Sequence, residues 1–212
     1  MNKQAILYSE NFSLDHTQII NLNFMHPKSS AIVPKVSFSG YWNEKGIGGR
    51  FDVEDNSILA ECTEDMSSIW NDSCVEIFLK PQNMVGHFGF EFNSIGKLYA
   101  CYIKNETLID GKFKESFPCT IDDCSLVKRN SLFKKKIFPE RIEKTNWWVD
   151  FFIPIILLQK YFGEFSFHTN SKLRANFYKC GDKLQNPHWL SWNKIDELNF
   201  HKEQCFGEIT LI

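Results

Sequence analysis

Short runs in which hydrophobic and polar residues alternate recur along the chain, and this period of two is typical of β-strands. Such runs predict strands over residues 36–42, 48–53, 75–80, 87–93, 98–103, 147–153, 164–168, 174–180 and 208–212. The apolar residues 155–158 follow Pro154 and predict one short helix. Many short strands with little helical periodicity predict an all-β fold, a single antiparallel β-sandwich resembling a jelly roll.

The alternation also assigns faces to the strands. The core-facing positions of the second predicted hairpin and of the strand over 174–180 are apolar: Val75, Ile77, Leu79, Phe88, Phe90, Phe92, Leu173, Ala175 and Phe177. One compatible register of the hairpin places Glu76 opposite Glu91 on the other face. If all these strands share one sheet, its outer face carries a hydrogen-bonding floor. The residues of this floor are Glu76, Glu91, Asn93, Arg174 and Asn176.

The length of the chain allows one large all-β domain or two small ones. Its 212 residues are 43% hydrophobic, which is enough for a substantial core. No linker, repeat or low-complexity tract divides the sequence. We therefore expect one domain over residues 1–212, with residues 1–30 as an N-terminal extension packed on it.

Trp70 lies where a loop leads into the strand that carries Glu76. An aromatic ring can stack on the weakly apolar C–H face of a sugar, while carboxylate and amide groups bind the hydroxyls at its rim. The alternative is a purely structural role, in which Trp70 covers an edge of the core. Trp70 and Glu76 together favour a sugar-binding site.

Four motifs in order carry a resemblance to a known family. They are Trp70 with the Val-Glu strand up to Pro81, residues 88–96, residues 174–193, and the closing strand 205–212. Together they resemble family 9 carbohydrate-binding modules, especially small stand-alone bacterial members, over roughly residues 30–212. The resemblance implies a role in polysaccharide breakdown, on xylan or cellulose, beside glycoside hydrolases such as xylanases.

The resemblance also implies a ligand site. Trp70 and Phe200 would stack on a mono- or oligosaccharide, which could be bound by its reducing end. Hydroxyl-binding residues would be Glu76, Arg174 and Asn176, with Glu91 and Asn93 as outer candidates. Two positions depart from the better-known branch of the family: Phe200 replaces a second Trp, and Glu91 replaces an Arg. These changes leave the identity of the sugar open.

Two other classes of function stay open. Carboxylates that face each other across antiparallel strands suit a retaining glycoside hydrolase, so Glu76 and Glu91 could be catalytic. Alternatively, the β-sandwich has lost its sugar and binds another protein. Arg174 could also serve only as an ion-pair partner of the two glutamates. Of the nearby residues, we expect Trp192 in the core and His188 on a backbone hydrogen bond, whereas Trp189 could be either core or site.

Charge and hydropathy exclude several partners. The net charge is −2, from 24 basic and 26 acidic residues, so we expect no nucleic-acid partner. The basic cluster over residues 128–136 is expected to be a solvated loop. No apolar run approaches a membrane span, and no signal peptide is visible, so the sequence as written predicts a cytoplasmic protein without membrane contact. A removed signal would instead imply a periplasmic or secreted location.

The seven cysteines form no CxxC pair, which favours reduced cysteines packed as small hydrophobic residues. Cys180, His188, His201 and Cys205 have spacings that match no known zinc pattern. We therefore expect no cofactor. Structural calcium stays open, because the calcium ligands of the family cannot be matched to this sequence residue by residue.

Overall fold

The computed structural model describes residues 1–10 and 17–212. The strands are β1 Lys3–Tyr8, β2 Ile19–Asn21, β3 Phe24–Met25, β4 Lys35–Asn43, β5 Gly46–Asp55, β6 Ile58–Ala60, β7 Cys74–Pro81, β8 His87–Asn93, β9 Leu98–Ile109, β10 Lys112–Pro118, β11 Lys128–Ser131, β12 Ile137–Arg141, β13 Thr145–Pro154, β14 Lys172–Cys180, β15 Leu190–Ser191 and β16 Gly207–Leu211. The helices are α1 Ile121–Leu126 and α2 Ile155–Phe162. With six and eight residues, both helices in the described parts of the chain are too short to cross a membrane.

The strands form two layers that meet along β1. The first sheet has the order β10-β9-β8-β7-β14-β16-β1, and the second continues as β1-β4-β5-β13-β11. Residues 3–6 of β1 pair in parallel with β16, whereas Leu7 and Tyr8 pair with β4. The sheet thus curls over itself into the predicted all-β sandwich.

Aromatic residues fill the space between the two layers. Phe38 from β4 stacks on Phe177 from β14 with ring centroids 4.3 Å apart, and Phe92 from β8 stacks on Phe151 from β13 at 4.9 Å. Every apolar position that the alternation assigned to the core belongs to this one cluster. The predicted register of the β7–β8 hairpin is confirmed, because Glu76 is the direct partner of Glu91.

Several sequence predictions of elements are wrong. No strand covers residues 164–168; Phe165 and Phe167 instead pack beneath α2, where Gln159 donates a hydrogen bond to the Phe165 carbonyl at 2.7 Å. The hairpin extension over residues 104–118 and the helix α1 were not predicted. Residues 128–131 form β11 rather than a loop, and Arg129 in it binds the carboxylate of Asp65 with two hydrogen bonds.

The first thirty residues are more than an extension packed on the domain. Their described part supplies three strands, and β1 among them lies inside the sheet order between β16 and β4. Ile6 from β1 is 2% exposed and belongs to the main core. The sequence pattern gave no sign of this role because β1 alternates weakly.

Candidate functional site

A cavity of about 440 Å³ lies on the outer face of the first sheet. Its floor includes side chains from β7, β8, β9 and β14: Glu76, Phe78, Glu91, Tyr99, Cys101 and Cys180. Its walls include Trp70, Asp182, Trp189, Phe200 and His201. The cavity therefore combines acidic and aromatic side chains, as the sequence analysis expected for Trp70, Glu76, Glu91 and Phe200.

Residues 193–206, which we call the closing segment, cover part of this face. Ile195, Cys205 and Phe206 of the segment form a small apolar cluster with Phe78 and Tyr178 of the sheet. This cover removes water from what would otherwise be an exposed sheet face. It explains why polar residues of the floor are buried.

Glu76 and Glu91 face each other on the floor. They are 2% and 6% exposed and are direct partners across antiparallel strands, which places their Cβ atoms about 5 Å apart. Burial raises the pKa of Glu91 to about 8, with the nearby Asp182 carboxylate adding to the shift. Burial, the Cys180 thiol and the Glu91 carboxylate raise the pKa of Glu76 well above its usual range. The pair thus holds protons more strongly than surface carboxylates do.

Hydrogen bonds also occur within the floor and within the wall. The Cys180 thiol donates to Oε1 of Glu76 at 2.9 Å, and the indole N–H of Trp189 donates to Oδ1 of Asp182 at 2.7 Å. Asp182 is itself an exposed residue, and partial desolvation of its carboxylate raises its pKa. Among the described residues that line the cavity there is no Lys or Arg.

Half-buried aromatic rings form the walls. Trp70 meets Tyr99 edge to face, with centroids 5.3 Å apart and an interplanar angle of 84°. Phe200 stacks almost parallel on Tyr178 at 4.0 Å, and the Tyr178 hydroxyl donates to the Phe200 carbonyl at 2.9 Å. One face of Phe200 is therefore covered, and only its other face is available to a ligand.

Asn93 lies beneath the loop that carries Trp70 and does not line the cavity. Its amide donates to the Cys62 carbonyl and to Oδ2 of Asp72, each at 2.9 Å. The Asp72 carboxylate also accepts the backbone N–H groups of Glu61 and Cys62. Asn93 thus fixes the loop on which Trp70 stands, as a support rather than as a lining residue.

Arg174 and Asn176 lie on the sheet face that parity predicts, but they are outside the cavity. They share a face with Glu76, but the register places Tyr178 opposite Glu76 and Arg174 opposite Lys80. Four residues along a strand separate Arg174 from Tyr178, which is about 13 Å. The alternation of side chains along a strand predicts which face of the sheet a residue occupies, but not where on that face it lies.

Both residues hold the closing segment instead. The Asn176 amide donates to the Asn193 carbonyl at 2.9 Å, and Arg174 donates to the Phe206 carbonyl at 2.8 Å. Arg174 therefore does not neutralise the two glutamates. Trp192 is 5% exposed in the core, as expected, and His188 bonds the Asn186 carbonyl, also as expected.

Sequence reasoning missed several lining residues, among them Tyr99, Cys180 and Asp182. Tyr99 is the direct partner of Glu91 on β9, and its alternation with Leu98 and Ala100 would have assigned it to the same face. Cys180 was interpreted only as a packed thiol or a zinc ligand. Asp182 follows β14 in a loop, where no periodic pattern applies.

Two clusters of the described residues bring metal-ligand atoms within 4.8 Å of one another. They are Cys74, Glu76 and Cys180 at the floor, and His87, Glu106 and Glu203 beside the closing segment. In the second cluster, the Lys80 ammonium already binds Glu203. The set of Cys180, His188, His201 and Cys205 is not among them.

This β-sandwich, with an aromatic and acidic cavity on one sheet face, has the architecture of a ligand-binding module. The sequence model of carbohydrate-binding family 9 matches residues 4–211, and the chain belongs to that family. The family is one of binding modules that recognise carbohydrate. No curated protein matches the chain.

Solved structures share the fold. A protein from Bacteroides uniformis ATCC 8492 predicted to bind carbohydrate is 24% identical, with a TM-score of 0.84 and 99% coverage of both chains. A family 9 module from Caldicellulosiruptor kristjanssonii in complex with cellotriose is 12% identical, with a TM-score of 0.67 over 99% of this chain and 93% of that one. A family 9 module from the same organism in complex with glucose is 10% identical, with a TM-score of 0.65 over 100% and 96%.

Proposed function

We propose that this protein binds a mono- or oligosaccharide without cleaving it, in the cavity on the first sheet. The observation that carries the proposal is that half-buried rings of Trp70, Trp189 and Phe200 surround the buried pair Glu76 and Glu91. Aromatic walls suit the C–H faces of a sugar, and buried carboxyl groups suit its hydroxyls. Membership of family 9 and neighbours that bind cellotriose and glucose support this interpretation.

The proposed contacts differ in part from the sequence prediction. Trp70 and the free face of Phe200 stack on the ligand, while Glu76 and Glu91 bind its hydroxyl rim. Tyr99, Asp182 and Trp189 join the site because they line the same cavity. Asn93, Arg174 and Asn176 act indirectly, by holding the Trp70 loop and the closing segment.

Calorimetric titration with glucose, xylose, cellobiose, xylobiose and cellotriose tests the proposal. Trp70→Ala removes one stacking wall, so we expect affinity to fall about tenfold or more. Trp148→Ala is the matched control, because Trp148 is a half-buried Trp on the second sheet beneath Arg50. That variant should bind as the wild type does.

The same titration separates the alternatives. Discrimination against the reduced alditols of these sugars would show that the site binds a reducing end. The absence of heat with every sugar would overturn sugar binding and favour a module that binds protein.

A glycoside hydrolase is the second candidate, because the confirmed pairing of Glu76 with Glu91 suits a retaining mechanism. A raised Glu91 pKa, about 8, would also suit a general acid. Against this, burial raises the pKa of both groups, whereas a retaining enzyme needs one ionised nucleophile. Reducing sugar released from xylo- or cello-oligosaccharides, and lost in Glu91→Gln, would establish the enzyme.

We further propose a setting in polysaccharide breakdown, beside a degrading enzyme. The family and the cellotriose complex of a neighbour support this setting. Hydrolysis of insoluble cellulose or xylan by a cellulase or xylanase should rise when the protein is added and should not rise with Trp70→Ala.

A further inference from the structure

The cavity contains more acidic groups than its surroundings neutralise. Glu76, Glu91 and Asp182 all line it, and the described lining residues include no Lys or Arg. Arg174, the arginine of β14, donates its hydrogen bonds to backbone carbonyls of the closing segment. Burying carboxyl groups together costs free energy unless a partner compensates them.

Glu91 gives the clearest sign of a missing partner. It is 6% exposed, lines the cavity, and its Oε2 atom is fully buried without a hydrogen-bond partner. Glu76 opposite it receives a bond from a thiol, which is a weak donor. Both carboxyl groups therefore line the cavity, and Glu91 has acceptor capacity that no described residue uses.

The walls add a second attraction for positive charge. Trp70, Tyr99 and Trp189 line the same space as the carboxyl groups. The faces of aromatic rings attract cations, and ammonium groups between aromatic walls are a common use of this effect. A volume of about 440 Å³ fits a small organic ligand.

We propose that the cavity selects a protonated amino sugar, whose ammonium group binds Glu76 and Glu91 while its ring lies between the aromatic walls. This inference rests on the proposed sugar binding and names the class of sugar. A neutral sugar offers only hydroxyls to the glutamates. An ammonium group offers three N–H donors and a charge that compensates the buried pair.

A bare divalent cation fits these observations less well. Calcium takes six to eight oxygen ligands, whereas here the carboxyl groups share the space with aromatic rings. The Cys74, Glu76 and Cys180 cluster offers a softer site, but both thiols are buried and their pKa values are raised by burial. Metal ions are therefore alternatives for the test.

Proton release gives a specific signature of the proposed contact. The ionisable groups around Glu91 come from three strands and the covering loops. They are Cys74 and Glu76 on β7, Tyr99 and Cys101 on β9, Cys180 on β14, and Asp182 and His201 from the loops. Because the pKa of Glu91 is about 8, this group is mostly protonated at neutral pH. An ammonium group close to Glu91 favours the ionised form of its carboxyl group. Binding of the amino sugar should therefore release a proton from Glu91.

The experiment is calorimetric titration of the full chain with glucosamine, glucose and N-acetylglucosamine, which differ only at one ring position. We expect glucosamine to bind about tenfold or more tightly than glucose, since a hydrogen bond to a charged group adds roughly that much. Its binding enthalpy should change between buffers of different ionisation enthalpy. The enthalpy for glucose should not change.

Glu91→Gln should abolish both the preference and the buffer dependence while keeping the shape of the cavity. Glu143→Gln is the control, because Glu143 is exposed and does not line the cavity. Thermal unfolding of each variant checks that it is folded. Glu76→Gln provides a second variant with the same expected loss of preference.

The outcomes separate the two proposals. If glucose and cellobiose bind but glucosamine binds no better, the sugar-binding proposal stands and the amino-sugar inference is overturned. If no sugar binds, both are overturned. Binding of Ca²⁺ or Zn²⁺ that blocks glucosamine, without proton release by glucosamine, would also overturn the inference and assign the carboxyl groups to a metal.

Discussion

Glu91 owes its chemistry to the residues that cover it. On an open sheet face its carboxylate would be solvated, but here β7, β9 and the loop wall with Asp182 enclose it, and its pKa rises to about 8. Strand parity is enough to place it opposite Glu76, because the period of a strand is two. Its burial depends on loops over residues 181–206, which have no periodic pattern, so the sequence could not predict it.

We predict that Glu91 makes the protein less stable as pH rises. Its pKa is near 4.5 in an unfolded chain and about 8 when folded, so between these values the folded state binds more protons and stability falls. The stabilisation that protonated Glu91 gives to the folded state is fully present below the unfolded pKa of 4.5. It is lost as the pH rises through the folded pKa of about 8. In urea unfolding at about pH 5 and about pH 9, the advantage of the wild type over Glu91→Gln should shrink with pH by on the order of a few kcal/mol.

Glu143→Gln is the matched control for this measurement, because its side chain is exposed. The difference in free energy of unfolding between Glu143→Gln and the wild type should stay nearly constant across the same pH range. An advantage of the wild type that grows with pH would contradict the buried, protonated state of Glu91.

At the scale of elements, register determines which polar residues meet. Alternation predicted β7, β8, β13 and β14 well because each has one face in the aromatic core. It could not place Arg174 and Asn176, because the offset between β7 and β14 depends on pairing and not on pattern. β1 was missed for a different reason: it is buried by pairing with two sheets, while its own sequence alternates little.

We predict that β1 is essential to the stability of the sandwich. Ile6 is 2% exposed in the main core, so Ile6→Ala leaves a cavity and should lower the free energy of unfolding by about 2–4 kcal/mol. Ile19→Ala removes the same atoms from a residue of β2 that is 65% exposed and should change it by less than about 1 kcal/mol. Denaturant unfolding measures both. Equal losses of stability in Ile6→Ala and Ile19→Ala would show that β1 is not essential to the stability of the sandwich.

At the scale of the whole molecule, a buried ion pair joins the two layers. Lys179 of β14 lies 3.3 Å from Asp55 at the end of β5, and both are almost fully buried. Burial alone would raise the pKa of Asp55, but the Lys179 ammonium holds it well below its usual value. His188 accepts a hydrogen bond from Lys179 at 2.7 Å through Nε2, since its Nδ1–H donates to the Asn186 carbonyl.

We predict that Asp55→Asn lowers the free energy of unfolding by about 3–5 kcal/mol, because it leaves a buried ammonium without its counter-charge. Replacing both partners, as Asp55→Leu with Lys179→Met, should recover much of this loss. Glu54→Gln, at a neighbouring position paired only at the surface, should change stability by less than about 1 kcal/mol. A double-mutant cycle in urea measures the coupling. If the double variant loses as much free energy of unfolding as Asp55→Leu and Lys179→Met lose together as single variants, the two residues are not coupled and the prediction is contradicted.

The parallel pairing of β1 with β16 also sets when the fold can form. Lys3 is the partner of Glu208, so residues at opposite ends of the described chain must meet before the two sheets become continuous. Contacts so distant in sequence make folding slow, because loop closure is costly until they form. During synthesis, β1 can pair with β4 early, but its pairing with β16 must wait until the residues of β16 have left the ribosome.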